Sequence, residues 1–204
     1  LERIGSGYVG RHESDVFRNS NEWFRGMEVS VGPDGAIYAL DWSDTGECHD
    51  HTGVHRTSGR IYKFIHGNNP VADITVLDNA AHDPESVLLH PNAWFARRWL
   101  LGLKEGRWKD SGETIRLCEG ILDDPSKKGA TRLRAMWGLH ALGELKPEKY
   151  LKDSNEHVRT WAIRLLFNDQ PMDGLFGPRE KDLPTRNANL EKKLVALAKN
   201  DDSG

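Results

Sequence analysis

Residues 27–65 restrict the fold more than any other part of the chain. Met27, Val29 and Val31 alternate with polar residues, the period of a half-buried strand. Pro33-Asp34-Gly35 then supplies a turn in which Pro sets φ and Gly accepts φ > 0. Residues 36–40 are nearly all apolar, which predicts a second strand buried on both faces. After a long loop, residues 59–65 alternate again and predict a third strand. Together they predict a three-stranded antiparallel meander. Three short strands bury too little surface to stand alone, so the expectation is one blade of a repeating all-β structure, with other blades upstream.

The composition changes near residue 80. Glycine-rich strands and loops give way to segments rich in Leu, Ala, Lys, Arg and Glu. Apolar residues recur at helical spacing in residues 92–101, 131–142 and 155–166, with shorter helices at 113–122 and 147–152 and a last one ending near Asn200. Polar stretches precede the three main segments, residues 90–92, 126–129 and 153–155, and Asn92, Ser126 and Asn155 in them are suited to cap free backbone N–H groups. Arg and Trp recur in alternate helices, which predicts stacked pairs. The expected architecture is therefore terminal β-propeller blade structure over residues 1–80, then α-helical HEAT/armadillo-like repeats over residues 81–204. A plain helical bundle is the alternative for the second part. The chain starts without Met and its final helix lacks a packing partner in the sequence, so it reads as an internal fragment, truncated within the repeats.

Hydrophobic residues make up 37% of the 204 positions and charged residues 29%, a globular composition. A net charge of −3 gives no basic field for nucleic acid. No apolar run reaches the roughly 18 residues of a membrane span. Cys48 and Cys118, 70 positions apart, leave both a disulfide and free thiols open, and no Cys-x-x-Cys-His haem attachment motif occurs.

Chemically capable residues concentrate in the long loop. The 17 residues from Asp44 to Arg60 hold three His, three carboxylates, one Cys and two Arg. A loop of that length inside a meander usually has a job. His49, His51 and His55 with Glu47, Cys48 or Asp50 suit a transition metal. Asp41, Asp44, Glu47 and Asp50 suit calcium. Arg56 and Arg60 suit a carboxylate or phosphate on a substrate or cofactor, and Arg25 stands just before the first strand. The plain alternative is that these groups satisfy one another and the loop backbone. Trp94, Trp99, Trp137 and Trp161 read as helix core. Arg97, Arg98, Arg132, Arg134, Arg159 and Arg164 either mark an anionic partner surface on the repeats or pair with acids and cover apolar surface with their stems.

The run from Trp23 to Trp42, with Ser58-Gly59-Arg60-Ile61-Tyr62-Lys63, resembles the membrane-bound dehydrogenase-domain proteins. So do the loop residues 41–50 and the helical residues 133–142. The resemblance implies a glucose/sorbosone-dehydrogenase-like propeller with HEAT-like repeats, often joined to a cytochrome c domain. It implies an extracytoplasmic, periplasmic oxidoreductase whose intact parent oxidises a sugar-like alcohol and passes electrons to haem c, with a quinone cofactor and calcium. The partners implied are the remaining blades and the cytochrome domain. No catalytic residue carries over, because the family's catalytic His belongs to earlier blades. Two rival expectations stand beside it: a non-enzymatic interaction scaffold, and a metal-dependent hydrolase built on the three loop histidines.

Overall fold

The computed structural model describes residues 1–5, 7–42, 58–68, 72–108, 111–168 and 187–201. The chain divides into two compact units, residues 15–145 and residues 1–14 with 146–204.

The first unit opens on a meander of β3 (Gly26–Val31), β4 (Ile37–Asp41) and β5 (Arg60–Phe64), following the hairpin strands β1 (Glu2–Ile4) and β2 (Gly7–Val9) of the other unit. The sheet order is β3-β4-β5, antiparallel throughout, as alternation and turn chemistry lead one to expect. The Gly35 N–H donates to the Gly32 carbonyl at 3.1 Å to close the turn, with Gly35 at φ 77°. Asp34 locks it: its carboxylate accepts from the Ala36 N–H and the Tyr38 hydroxyl and pairs with Lys63 at 2.6 Å. These bonds hold the Asp34 carboxyl below its ordinary range, the Lys63 bond above all.

Two expectations fail here. The strand β4 is not buried on both faces: Ile37 is 44% and Leu40 40% exposed. Nor do the described residues form propeller blades. The described residues form one open three-stranded sheet and one separate two-stranded hairpin, where a blade has about four strands arranged around a closed ring. Alternation reports which residues share a face of a strand; it carries no information on strand number or closure.

Helices α1 (Thr75–Asp78), α2 (Pro84–Leu88), α3 (Ala93–Lys104), α4 (Ser111–Asp123) and α5 (Gly129–Ala141) complete this unit. Asn92 caps α3 by accepting from the Trp94 N–H at 2.9 Å. Its amide also donates to the carbonyls of Gly32 and Pro33 at 2.9 and 3.0 Å, tying the helices to the sheet's turn. Both α3 and α5 end in a Schellman arrangement on Gly106 and Gly143, at φ 70° and 77°. The start of α5 departs from the capping expectation, since Lys128 holds the cap position without a side-chain bond.

The core lies among α2 to α5. Val87, Leu88, Phe95, Trp99, Cys118, Leu122, Met136 and Leu139 are all buried. Cys118 is a free thiol whose burial pushes its pKa up to about 12, so it stays protonated and inert near neutrality. Most of the arginines that made the helices look basic serve the backbone or cover rings. Arg132 donates from Nε to the Leu122 carbonyl at 2.8 Å, in the last turn of α4. Arg134 donates to the carbonyls of Leu88 and His90 at 2.9 and 2.8 Å, closing the end of α2. Carbonyls at helix C-termini lack intrahelical donors, and a guanidinium satisfies them while opposing the helix dipole. Arg98 lies over the Trp94 ring at 5.2 Å.

In the second unit, α6 (Glu156–Leu166) packs on a 3-10 turn at Pro147–Tyr150, and α7 (Ala188–Asn200) follows. Asn155 caps α6 as expected, accepting from the N–H groups of His157 and Val158. Arg164 lies over the Trp161 ring at 4.4 Å.

The seven helices among the described residues do not form HEAT-like repeats. They run 4, 5, 12, 13, 13, 11 and 13 residues, and α6 finds its main partner in a 3-10 turn rather than a sister helix. Helical spacing of apolar residues marks a buried stripe, which a repeat and an irregular pack share.

Candidate functional site

The long loop springs from the paired residues Asp41 and Arg60, where the β4–β5 register ends. The Asp41 side chain is fully buried. Its Oδ1 accepts from the Arg25 N–H at 2.9 Å, and its Oδ2 lies 3.3 Å from Arg60 Nε. The Trp42 N–H returns a bond to the Arg25 carbonyl at 2.9 Å. Arg60 also donates to the Ser58 carbonyl at 3.2 Å, and Arg25 to the carbonyls of Glu22 and Phe24 at 3.1 and 2.9 Å. Two expected site side chains, Asp41 and Arg60, thus meet at the base of the loop, and Arg25 joins them through its main chain. The buried carboxylate there gathers the strand ends. The other expected residues, Asp44, Glu47, Cys48, His49, Asp50, His51, His55 and Arg56, lie outside the described residues. Among the described residues no three His, Cys, Asp or Glu side chains converge as a metal ion requires. No helix among them is long and apolar enough to cross a membrane.

A second arrangement, within the unit of residues 1–14 and 146–204, shares only Arg159 with the residues singled out in the sequence. A groove of about 1440 Å³ runs between β1, the loop before α6, and α7. Two bidentate ion pairs brace it. Arg3 holds Glu156 at 2.5 and 2.7 Å, and Arg159 holds Asp201 at 2.7 Å through both nitrogens. Arg159 also donates to the carbonyls of Asp153 and Ser154. Each guanidinium is raised above its ordinary value by its carboxylate partner, Glu156 for Arg3 and Asp201 for Arg159. Lys152, Lys192 and Lys193 stand exposed on the groove walls, and Leu197 and Ala196 give it an apolar strip. Local sequence patterns carry little sign of this. Arg3 and Glu156 are 153 positions apart, and pairs so distant leave no periodicity to read. The local signals are Arg159 and the adjacent pair Lys192-Lys193 on the last helix.

The Arg3–Glu156 pair gives unit stability a definite pH sign. The Arg3 hydrogen bond lowers the Glu156 pKa from its ordinary 4.5, helped by the charges of Arg3, His157 and Arg159. A carboxyl lowered on folding stabilises the fold above its unfolded pKa, and that stabilisation fades as pH falls through the lowered value. Glu156→Gln is therefore expected to cost stability at pH 7. The gap to wild type should shrink as pH is stepped down below 4.5, the ordinary value, and close in stronger acid. Urea unfolding across that series checks it; a gap that stays constant with pH refutes the ion pair as its source. The pair is half-exposed, so salt should shrink the gap as well.

No protein-family model, no curated protein and no solved structure matches this chain.

Proposed function

We propose that this chain is a docking segment of a larger extracytoplasmic oxidoreductase, holding its catalytic part through the meander rather than performing the chemistry. The observation that carries the docking role is apolar exposure on both faces of the sheet. Val29 is 69% exposed and pairs with Ala39 and, one strand on, Tyr62; Ile61 is 69% exposed and pairs with Leu40 in the next row. Adjacent rows point to opposite faces, so Val29 and Ile61 lie on different sides. Phe17 and Phe24 cover only the Tyr62 and Phe64 end of one side. Apolar surface of this kind marks protein contact. The oxidoreductase half of the reading rests on the resemblance of residues 23–42 and 58–63 to the membrane-bound dehydrogenase-domain proteins. On that reading, sugar-like alcohols are oxidised elsewhere in the parent, with a quinone and calcium, and the electrons pass to haem c.

The experiment uses the full-length gene product, with and without Val29→Thr and Ile61→Thr together, changes that keep β-branched shape. Sugar-driven reduction of a haem c band in the wild type is expected, with loss in the double variant while the haem content is unchanged. Absence of haem c and of quinone-dependent dye reduction would overturn the oxidoreductase half. Full activity in the double variant would overturn the docking half.

A further inference from the structure

We propose that the groove between β1, the loop before α6, and α7 binds an acidic, partly apolar peptide segment of another protein. Charge complementarity is the first argument. The groove is lined by Arg3, Lys152, Arg159, Lys192 and Lys193 against Asp153, Glu156 and Asp201, five positive groups less three negative, hence +2. The whole chain carries −3, so the positive excess is local. The pairs Arg3–Glu156 and Arg159–Asp201 neutralise each other, which leaves Lys152, Lys192 and Lys193 without an ion-pair or hydrogen-bond partner among the described residues.

Size and chemistry decide between ligand classes. At about 1440 Å³ the groove exceeds the roughly 300–1,000 Å³ of small-molecule pockets and is widely open to solvent. An extended segment fits such a shape. The apolar strip of Leu197 and Ala196 on α7 offers contact to alternate side chains, while the lysines above it meet carboxylates. A nucleic acid fits less well. Duplex DNA carries one charge per about 1.7 Å, and the carboxylates of Asp153, Glu156 and Asp201 would oppose such a dense array. Carboxylates spaced along a peptide meet the lysines and pass between the acids.

The test is fluorescence anisotropy of the whole chain with a fluorescein-labelled octapeptide of alternating glutamate and leucine at low salt. Two further probes are the same peptide with glutamine for glutamate, and an eight-nucleotide oligothymidylate. The acidic peptide is expected to bind, and the combined change Lys192→Glu and Lys193→Glu to weaken it by about tenfold or more, since each reversal replaces a weak attraction with a repulsion. Lys104→Glu, at the end of α3 in the other unit, is expected to leave binding unchanged. If the double reversal alters the far-ultraviolet spectrum, Lys192→Gln with Lys193→Gln supplies the comparison, with a smaller loss expected. No binding by the wild type, equal binding of the glutamine peptide, or preference for the oligonucleotide would each overturn the proposal.

Discussion

Trp99→Ala is expected to destabilise the unit of residues 15–145 by about 4 kcal/mol, the range for deleting a large aromatic from a packed core. Trp99 has no exposed surface and is the largest fully buried side chain among the described residues. It lies on α3, and its ring edge meets α5 where Gly138 leaves room. A Cβ built at 138 would lie 2.9 Å from Trp99 Cη2 and 3.1 Å from Cys118 Sγ of α4. Three helices therefore meet at one indole, and its removal leaves a cavity lined by groups fixed on separate elements. Such a site collapses poorly, which keeps the cost above the lower end of the range. Urea unfolding followed by circular dichroism checks it; a loss below about 1 kcal/mol would show that the helices close over the gap. Gly138→Ala tests the same junction from the other side. It forces the indole or the thiol to shift by some tenths of an ångström, and the expected loss is about 1–3 kcal/mol.

The same junction shows what was legible in the sequence. Trp99 reads as core from its spacing within residues 92–101, and the alternation of Met27, Val29 and Val31 about the Pro33-Asp34-Gly35 turn gives the β3–β4 hairpin. These are local signals, set by neighbours within a few residues. What failed is non-local. Three alternating strands suggest a ring of blades, yet the described residues give an open sheet with apolar residues exposed on both faces. Helices with a buried stripe suggest stacked repeats, yet their lengths and partners among the described residues are irregular. The arginines misled for a related reason. Arg132 and Arg134 look like a basic partner surface in sequence, but the carbonyls they serve are 10 to 46 positions away. Of the residues singled out as candidate site groups, Asp41 and Arg60 stand out in the sequence because they flank a strand-to-loop boundary, and Arg25 because it precedes a strand. The groove was hidden because its parts come from residues near 3, 155 and 195.

Asn92→Ala carries the second large expected effect, about 3 kcal/mol. One side chain performs two jobs. Its oxygen caps α3 through the Trp94 N–H, worth about 1 kcal/mol. Its amide nitrogen donates to the carbonyls of Gly32 and Pro33, each bond worth about 1 kcal/mol. Alanine removes all three and leaves two turn carbonyls without that donor. Asn92→Ser separates the two jobs. A serine hydroxyl caps a helix about as well as asparagine, but it is too short to serve the turn at the same time. The serine variant is therefore expected to lose about 2 kcal/mol, with the whole of that loss in the tie between sheet and helix. Hydrogen exchange locates it: in the serine variant the amide of Gly35, which closes the turn, should lose protection while those of α3 keep theirs. Equal loss of protection in α3 would mean that the cap, not the tie to the turn, is what Asn92 contributes.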